Sequence, residues 1–484
     1  MSHVTETDAD DEAKAKDETE AETKVKAEAG AAPAGAETPH HQSVVPHPPT
    51  GWRRFRYIGP GILWALAALA TGELLFTPRV GAQYGYTLMW ALVAVLALKL
   101  FVTREIGRYS VVTGRRLLTG LAGLPGPRGW AIWVILLPQL VVGIAAIAGI
   151  ASAAGSAVAI AVPGPIQLWT GVVIAAAAGL VLFGHYAGVE WVSRILGIGL
   201  AVGAVVAAIQ VGPDLGEAAA GFVPVPPDDL VVAEILPWLG FLSNGAAGLM
   251  WYSYWITAKG VGMAGAPADE RPDPRDLDGG QIAQVRGWLR TMTLDSTFAV
   301  VGVAVITVAF LVLGAELLRP EGVVPAEADV ARDLTRLFSE VFGSVGFWLM
   351  VVGLVSAFWT ATLTNIDGWQ RLYTDGVRRL LPARLVDRRW TRPVVIGRSA
   401  VVGWLAALPF AVFLISGDPV TLLTLAGSIE AVHIPLVAAL VLWLNRRTVP
   451  PALRAGPIAT ALVVTAVAFF TGFAGYYLWQ QIVG

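Results

Sequence analysis

Cysteine is absent from the 484-residue sequence. This excludes disulfides and thiolate-held metal, so any metal the chain handles takes oxygen, imidazole or thioether ligands. Charge is scarce too: 14% of residues are Asp, Glu, Lys or Arg, against about 25% in soluble domains. With 55% hydrophobic residues and a mean hydropathy of +0.62, the chain reads as an all-α integral membrane protein whose first partner is the lipid bilayer. No Walker-type phosphate loop occurs, which argues against ATP-driven pumping. No apolar core follows Met1, so the start does not read as a signal peptide. Nothing suggests nucleic-acid binding, and no catalytic residues or bound cofactor are assigned.

What is present divides unevenly. Residues 1–50 hold eleven acids against four lysines, a charge of −7, so the rest of the chain carries +5 of the total of −2. Rich in Ala, Glu, Lys and Asp, this stretch is expected to be a disordered acidic tail; His40, His41 and His47 read as part of a solvated linker. Trp52, Arg53, Arg54, Phe55 and Arg56 then form an aromatic-basic anchor at the membrane surface. From 51 to 484 the chain reads as one transmembrane domain. A span needs about 20 apolar residues, and about eleven are expected, near 59–78, 85–104, 131–161, 166–186, 190–211, 234–257, 291–318, 343–366, 394–416, 419–444 and 456–481. Arginines cluster after the second span (Arg108, Arg115, Arg116, Arg128), the eighth (Arg371, Arg378, Arg379, Arg384, Arg388, Arg389) and the tenth (Arg446, Arg447). The loop 212–233 is acidic, with Asp214, Glu217, Asp228 and Asp229. That alternation places the N-terminus in the cytoplasm and the C-terminus outside a cytoplasmic membrane. Residues 266–280 read as a cytoplasmic loop, and 326–341 as a short amphipathic helix at the outer surface, with Leu334, Leu337, Phe338 and Val341 at helical spacing.

The first span is interrupted at Ala70-Thr71-Gly72-Glu73. A carboxylate at membrane depth is costly unless it faces a cavity or a partner, which makes Glu73 a functional candidate; Gly72 lowers helix propensity there. Five spans later the sixth is interrupted at Asn244-Gly245-Ala246-Ala247-Gly248. Breaks at corresponding positions, each opening a five-span half, point to an inverted repeat with transport chemistry at the breaks. The halves are 59–211 and 234–444, with 456–481 an extra span.

Gly59-Pro60-Gly61 followed by Gly81-Ala82-Gln83-Tyr84-Gly85-Tyr86 resembles the first span of the Nramp family of divalent-metal transporters. Val112-Thr113-Gly114-Arg115 is similar to its Val-Thr-Gly-Lys turn, Gly155-Ser156-Ala157 to the end of its third span, and Asp295-Ser296 to the opening of its seventh. The resemblance implies a five-plus-five inverted-repeat (LeuT-like) fold, a divalent metal ion of the Mn, Fe or Mg class as transported substrate, and protons as the coupling ion to test. The departures fall on the chemistry. The family's Asp-Pro-Gly-Asn motif reads Ala70-Thr71-Gly72-Glu73, and its Ala-x-x-Met-Pro-His reads Ala247-Gly248-Leu249-Met250-Trp251-Tyr252. In the third span Gly149 and Ser152 stand where the family often carries acids.

The metal reading therefore rests on the Glu73 carboxylate, the Met250 thioether and the carbonyls of Ala70 and Ala247. Gly72, Asn244, Trp251 and Tyr252 would line the cavity. Glu430 and His433, at i and i+3 on one face of the tenth span, are candidates for proton coupling or a further ligand. Asp295 and Glu190 read as cytoplasmic-side electrostatic or gating contacts near span entrances, Asp295 also as a coupling candidate, and Asn365 and Asp367 as capping or lining an inner vestibule. Two other readings stay open: an organic cation held by Trp251, Tyr252, Tyr254 and Trp255, and a non-transporting sensor or scaffold. Which metal is carried, in which direction, and in what oligomeric state are not written in the sequence.

Overall fold

A chain inside hydrocarbon must satisfy its own backbone N–H and C=O groups, and helices do so segment by segment. Among the described residues helix is the only regular structure. The computed structural model describes residues 44–59, 61, 69–184, 187–326, 329–380 and 394–483. The acidic stretch 1–43, with His40 and His41, lies outside them, as do the Glu190 side chain and Arg384, Arg388 and Arg389. The described residues belong to one compact unit beginning at Val44.

Among the described residues, eleven helical elements correspond to the eleven expected spans. The first, α1, is described as a π-helical stretch Leu69–Phe76 that continues as Thr77–Tyr84. It is followed by α2 (Met89–Thr113), α3 (Trp130–Ala161), α4 (Ile166–Phe183) and α5 (Ala187–Val211). The sixth is two pieces, α6a (Val232–Phe241) and α6b (Ala246–Ala258). Then come α7 (Gly279–Leu313, with a π-helical end Gly314–Leu318), α8 (Val330–Leu380), α9 (Val394–Ser416), α10 (Pro419–Thr448) and α11 (Pro457–Val483). Seven of them, α3, α4 and α7 to α11, are each long and apolar enough to cross a bilayer. The others fall short for visible reasons: α2 carries Lys99, Arg104, Glu105 and Arg108, α6 is divided, part of the first span lies outside the described residues, and so do several side chains at the start of α5.

Side-chain chemistry sets the boundaries. Asp278 and Gln281 form a capping box at the start of α7, each satisfying a backbone N–H that the helix leaves over. Asp418 caps α10 through the N–H groups of Val420 and Thr421, with Pro419 in the first turn. The amphipathic segment expected at 326–341 is the first part of α8: Leu334, Leu337 and Phe338 are buried, and Gly343 (φ 62°) kinks it away from the span. The eighth span is longer than expected and runs to Leu380. Asn365 and Asp367 therefore sit within α8 rather than at its end, Asn365 bonded to the Ala361 carbonyl and Asp367 to Arg371. The packed body also starts earlier than the expected tail boundary of 50. Val45 is fully buried, and the Pro46 carbonyl accepts from Trp288 Nε1 on α7.

Charged contacts gather at two ends. At one, Arg271 bonds the carbonyls of Gly114, Ala264 and Ala266, Arg275 that of Arg447, and Arg108 that of Leu453. At the other, Tyr86 and the Asp214 N–H meet Glu316, and Gln83 and Tyr84 meet Glu234.

Candidate functional site

The two interrupted spans touch at their interruptions. In α1, π-helical around Gly72, the Thr77 hydroxyl donates to the Gly72 carbonyl at 2.7 Å. Thr77 in turn accepts from Trp238 Nε1 of α6a. In α6 the chain turns through Ser243 (φ 55°) and Asn244 (φ 80°), left-handed conformations that non-glycine residues adopt rarely and at an energetic cost. Glu73 accepts from the Ser243 N–H at 2.8 Å and is fully buried. Gly72 is required by proximity, because a methyl group there would lie within 2.9 Å of the Phe241 and Leu242 backbone.

Breaking a helix in a dry interior exposes carbonyls at one end and N–H groups at the other. Both ends are satisfied by charged side chains from other spans. At the C-terminal end of α6a, the fully buried Lys99 of α2 donates to the carbonyls of Gly240, Leu242 and Asn244 at 2.7, 2.6 and 2.8 Å. At the N-terminal end of α6b, Glu430 of α10 accepts from Ala246 N–H at 2.8 Å and Ala247 N–H at 3.4 Å. A cation at a helix C-terminus and an anion at an N-terminus also match the two half-helix dipoles.

Glu430 and His433 do lie together, and a residue that sequence reasoning missed joins them. Gln139 of α3 donates from Nε2 to Glu430 at 2.9 Å and stands 3.0 Å from His433 Nδ1, while its Oε1 accepts from Trp369 Nε1. The Trp369 donor fixes the amide orientation, so Nδ1 is the acceptor and the imidazole proton is on Nε2.

The remaining candidates separate into groups. Asp295 is not near the Glu430 network in any bond it makes: it accepts from Gly59 N–H, Gly61 N–H and the Tyr252 hydroxyl, at 3.0, 2.8 and 2.9 Å, and so ties the start of the first span to α6b. Tyr254 bonds Asp375, and Trp251 stacks edge-on against Trp369. Ala70, Ala247 and Met250 are buried. Ala247 lies in the first turn of α6b, where its carbonyl enters the helix ladder. The Asn244 side chain is folded against Gly248. Gly149 leaves no room for an acid, since a Cβ there would already meet the Leu423 side chain at 2.5 Å; Ser152 bonds back to the Gly149 carbonyl.

Four buried polar atoms of this region have no hydrogen-bond partner among the described residues: Glu73 Oε2, Ser243 Oγ, Trp251 Nε1 and His433 Nε2. Among the described residues no three His, Asp or Glu side chains converge as a ready metal site. A cation at the junction would therefore meet the Glu73 carboxylate and neutral donors, beside the Lys99 ammonium and the Glu430 carboxylate that already hold the two ends of the α6 break. Lys99, Gln139 and Ser243 escaped the sequence reading. A lysine in the middle of an apolar run was a signal for the first; the other two carried none.

Comparison with known proteins supports this architecture. The chain superposes on the crystal structure of an Eremococcus coleocola manganese transporter with a TM-score of 0.67 at 16% identity, covering 90% of this chain and 89% of that one. It superposes on Mhp1, a nucleobase-cation-symport-1 family transporter, with a TM-score of 0.51 at 13% identity, covering 87% and 92%. At these identities the likeness is one of fold: the all-helical, LeuT-like inverted-repeat fold. In sequence the chain is 24% identical over 385 residues to "Metal transporter Nramp3" of Oryza sativa subsp. japonica, spanning 75% of this chain and 66% of that protein's length. It is 35% identical over 136 residues to "Metal transporter Nramp6.2" of Populus trichocarpa, 28% of this chain and 24% of the relative. Residues 61–480, almost the whole helical body, match the model of the natural resistance-associated macrophage protein-like family, and the chain belongs to the Nramp family.

Proposed function

We propose that the chain is a secondary transporter that moves a divalent metal ion across the cytoplasmic membrane by alternating access around the junction of α1 and α6. The observation that carries this reading is the Glu73 carboxylate, buried where the two breaks meet, with one oxygen held by Ser243 N–H and the other unpartnered among the described residues. A buried carboxylate oxygen of that kind is a hard ligand suited to Mg or Mn, and a thioether ligand from the buried Met250 would extend the range toward softer ions. The names of the relatives, metal transporter and manganese transporter, agree with it. In this reading the metal is substrate and not a resident cofactor, and Ala70 and Met250 contribute neutral donors, while the Ala247 carbonyl is kept by the α6b ladder. The Gln139-bridged Glu430–His433 pair is the coupling element, and residues 59–211 and 234–444 are the two repeats, with 456–481 outside them. The arginine-rich end faces the cytoplasm, with the C-terminus outside.

The organic-cation alternative is disfavoured because Tyr252 and Tyr254 spend their hydroxyls on Asp295 and Asp375, and Trp251 packs against Trp369. The test is uptake of Mn, Fe, Mg and Cd ions into proteoliposomes, with and without a pH gradient, for the native chain and Glu73→Ala. Metal flux that the substitution abolishes supports the proposal. Absence of flux for every ion overturns it.

A further inference from the structure

Lys99 is unusual in being a fully satisfied ammonium at membrane depth. It has three N–H bonds to give, and three main-chain carbonyls, of Gly240, Leu242 and Asn244, receive them at 2.6–2.8 Å. The Phe470 ring of α11 covers a further side, its centroid 5.6 Å from Nζ, a favourable placement for a cation over an aromatic face. Glu73 and Glu430 supply opposing charge. Convergent main-chain carbonyls in an unwound helix, with carboxylates nearby and an aromatic wall, are what transporters and channels use to replace the hydration shell of a small cation.

We infer that the carbonyls of Gly240, Leu242 and Asn244 form a monovalent-cation site whose occupant is the chain's own Lys99 ammonium. The cage is built from the backbone of α6, whereas its cation is tethered to α2, so the charge cannot leave with the substrate. Two consequences follow. The native protein takes up no free monovalent ion at this position, and its stability and transport are indifferent to sodium or potassium. Removing the side chain leaves the oxygens in place and gives the site to a small free cation.

The experiment measures thermal unfolding of purified native protein, Lys99→Ala and Lys99→Met in ammonium, methylammonium, sodium, potassium or N-methyl-D-glucamine chloride at equal ionic strength. Lys99→Ala is expected to lose stability in N-methyl-D-glucamine and to regain it saturably in at least one small cation. Well above half-saturation, its midpoint rises by a constant increment per tenfold increase in that ion, as binding to the folded state alone requires. Lys99→Met, whose apolar chain fills the cavity, is expected to lose stability without regaining it, and the native protein to show no ion preference. The inference is overturned if no small cation separates from N-methyl-D-glucamine for Lys99→Ala, or if Lys99→Met is as stable as the native chain. If Lys99→Ala fails to accumulate, the same salts are supplied during solubilisation, and failure of every one of them to restore folded protein overturns it as well. Because the readout is stability, the result is independent of whether the chain carries a metal.

Discussion

The Glu73 carboxylate of the first broken span accepts a hydrogen bond from the main-chain N–H of Ser243 in the second, at 2.8 Å, and so joins the two interruptions directly. The bond needs an acceptor, whereas cation binding needs the charge. Glu73→Gln keeps an oxygen for Ser243 and removes the charge, so it should fold with stability within about 1 kcal/mol of the native chain and lose metal uptake by at least about tenfold, equivalent to about 1.4 kcal/mol. Glu73→Ala should lose both. The two are separated by thermal unfolding and proteoliposome uptake; uptake by Glu73→Gln at the native rate would remove Glu73 from the site.

Glu430 holds the start of α6b, and its loss leaves the Ala246 and Ala247 N–H groups without their acceptor in a buried environment, while Gln139 Nε2 keeps only His433 Nδ1. An unsatisfied buried donor costs about 1–3 kcal/mol, so Glu430→Ala should destabilise by about 2–5 kcal/mol, several times the effect of Glu430→Gln, whose amide oxygen still caps one N–H. Denaturation of the two variants side by side tests this, and equal stabilities would show that the cap carries little weight.

How much of this could be read beforehand follows from what a bilayer imposes. The need for about 20 apolar residues per crossing makes spans legible, and the helices follow the expected order, with ends displaced where loops are themselves helical, as in α8 beyond residue 366. The breaks were legible because Gly72 with Glu73, and Asn244 with Gly245, are poor choices for the middle of an apolar helix. Lys99 was hidden by averaging: one charge hardly changes the hydropathy of a long apolar segment. Its partners are carbonyls 141 to 145 residues away, and they become acceptors only because α6 breaks there, which no local pattern encodes. The neutral amide of Gln139 likewise gains its role only from two other spans, α8 and α10, that converge on it.

The coupling role proposed for the Glu430–His433 pair turns on Gln139. Its Nε2 donates to both residues, so a proton arriving at His433 Nδ1 would set two donors facing each other and break the bridge. In Gln139→Leu and His433→Asn, uptake down a metal gradient should persist while stimulation by an inward pH gradient falls to below about one-tenth of the native effect, a coupling loss of about 1.4 kcal/mol. If native uptake shows no gradient dependence at all, the network has a structural role instead.

Asp295 offers a test of gating that the absence of cysteine makes clean, since any introduced thiol reports alone. Its carboxylate gathers the Gly59 and Gly61 N–H groups and the Tyr252 hydroxyl, fastening the start of the first span to α6b and α7. The neighbouring Ser296 is fully buried, so a cysteine there should react slowly with a water-soluble maleimide. Adding Asp295→Ala removes all three bonds, and the labelling rate should rise by at least about tenfold, the change expected if the closed arrangement loses about 1.4 kcal/mol relative to an open one. Asp295→Asn, which keeps an acceptor oxygen, should fall between. An unchanged rate in Asp295→Ala, with thermal stability intact, would mean that this end is held shut by apolar packing and not by the carboxylate.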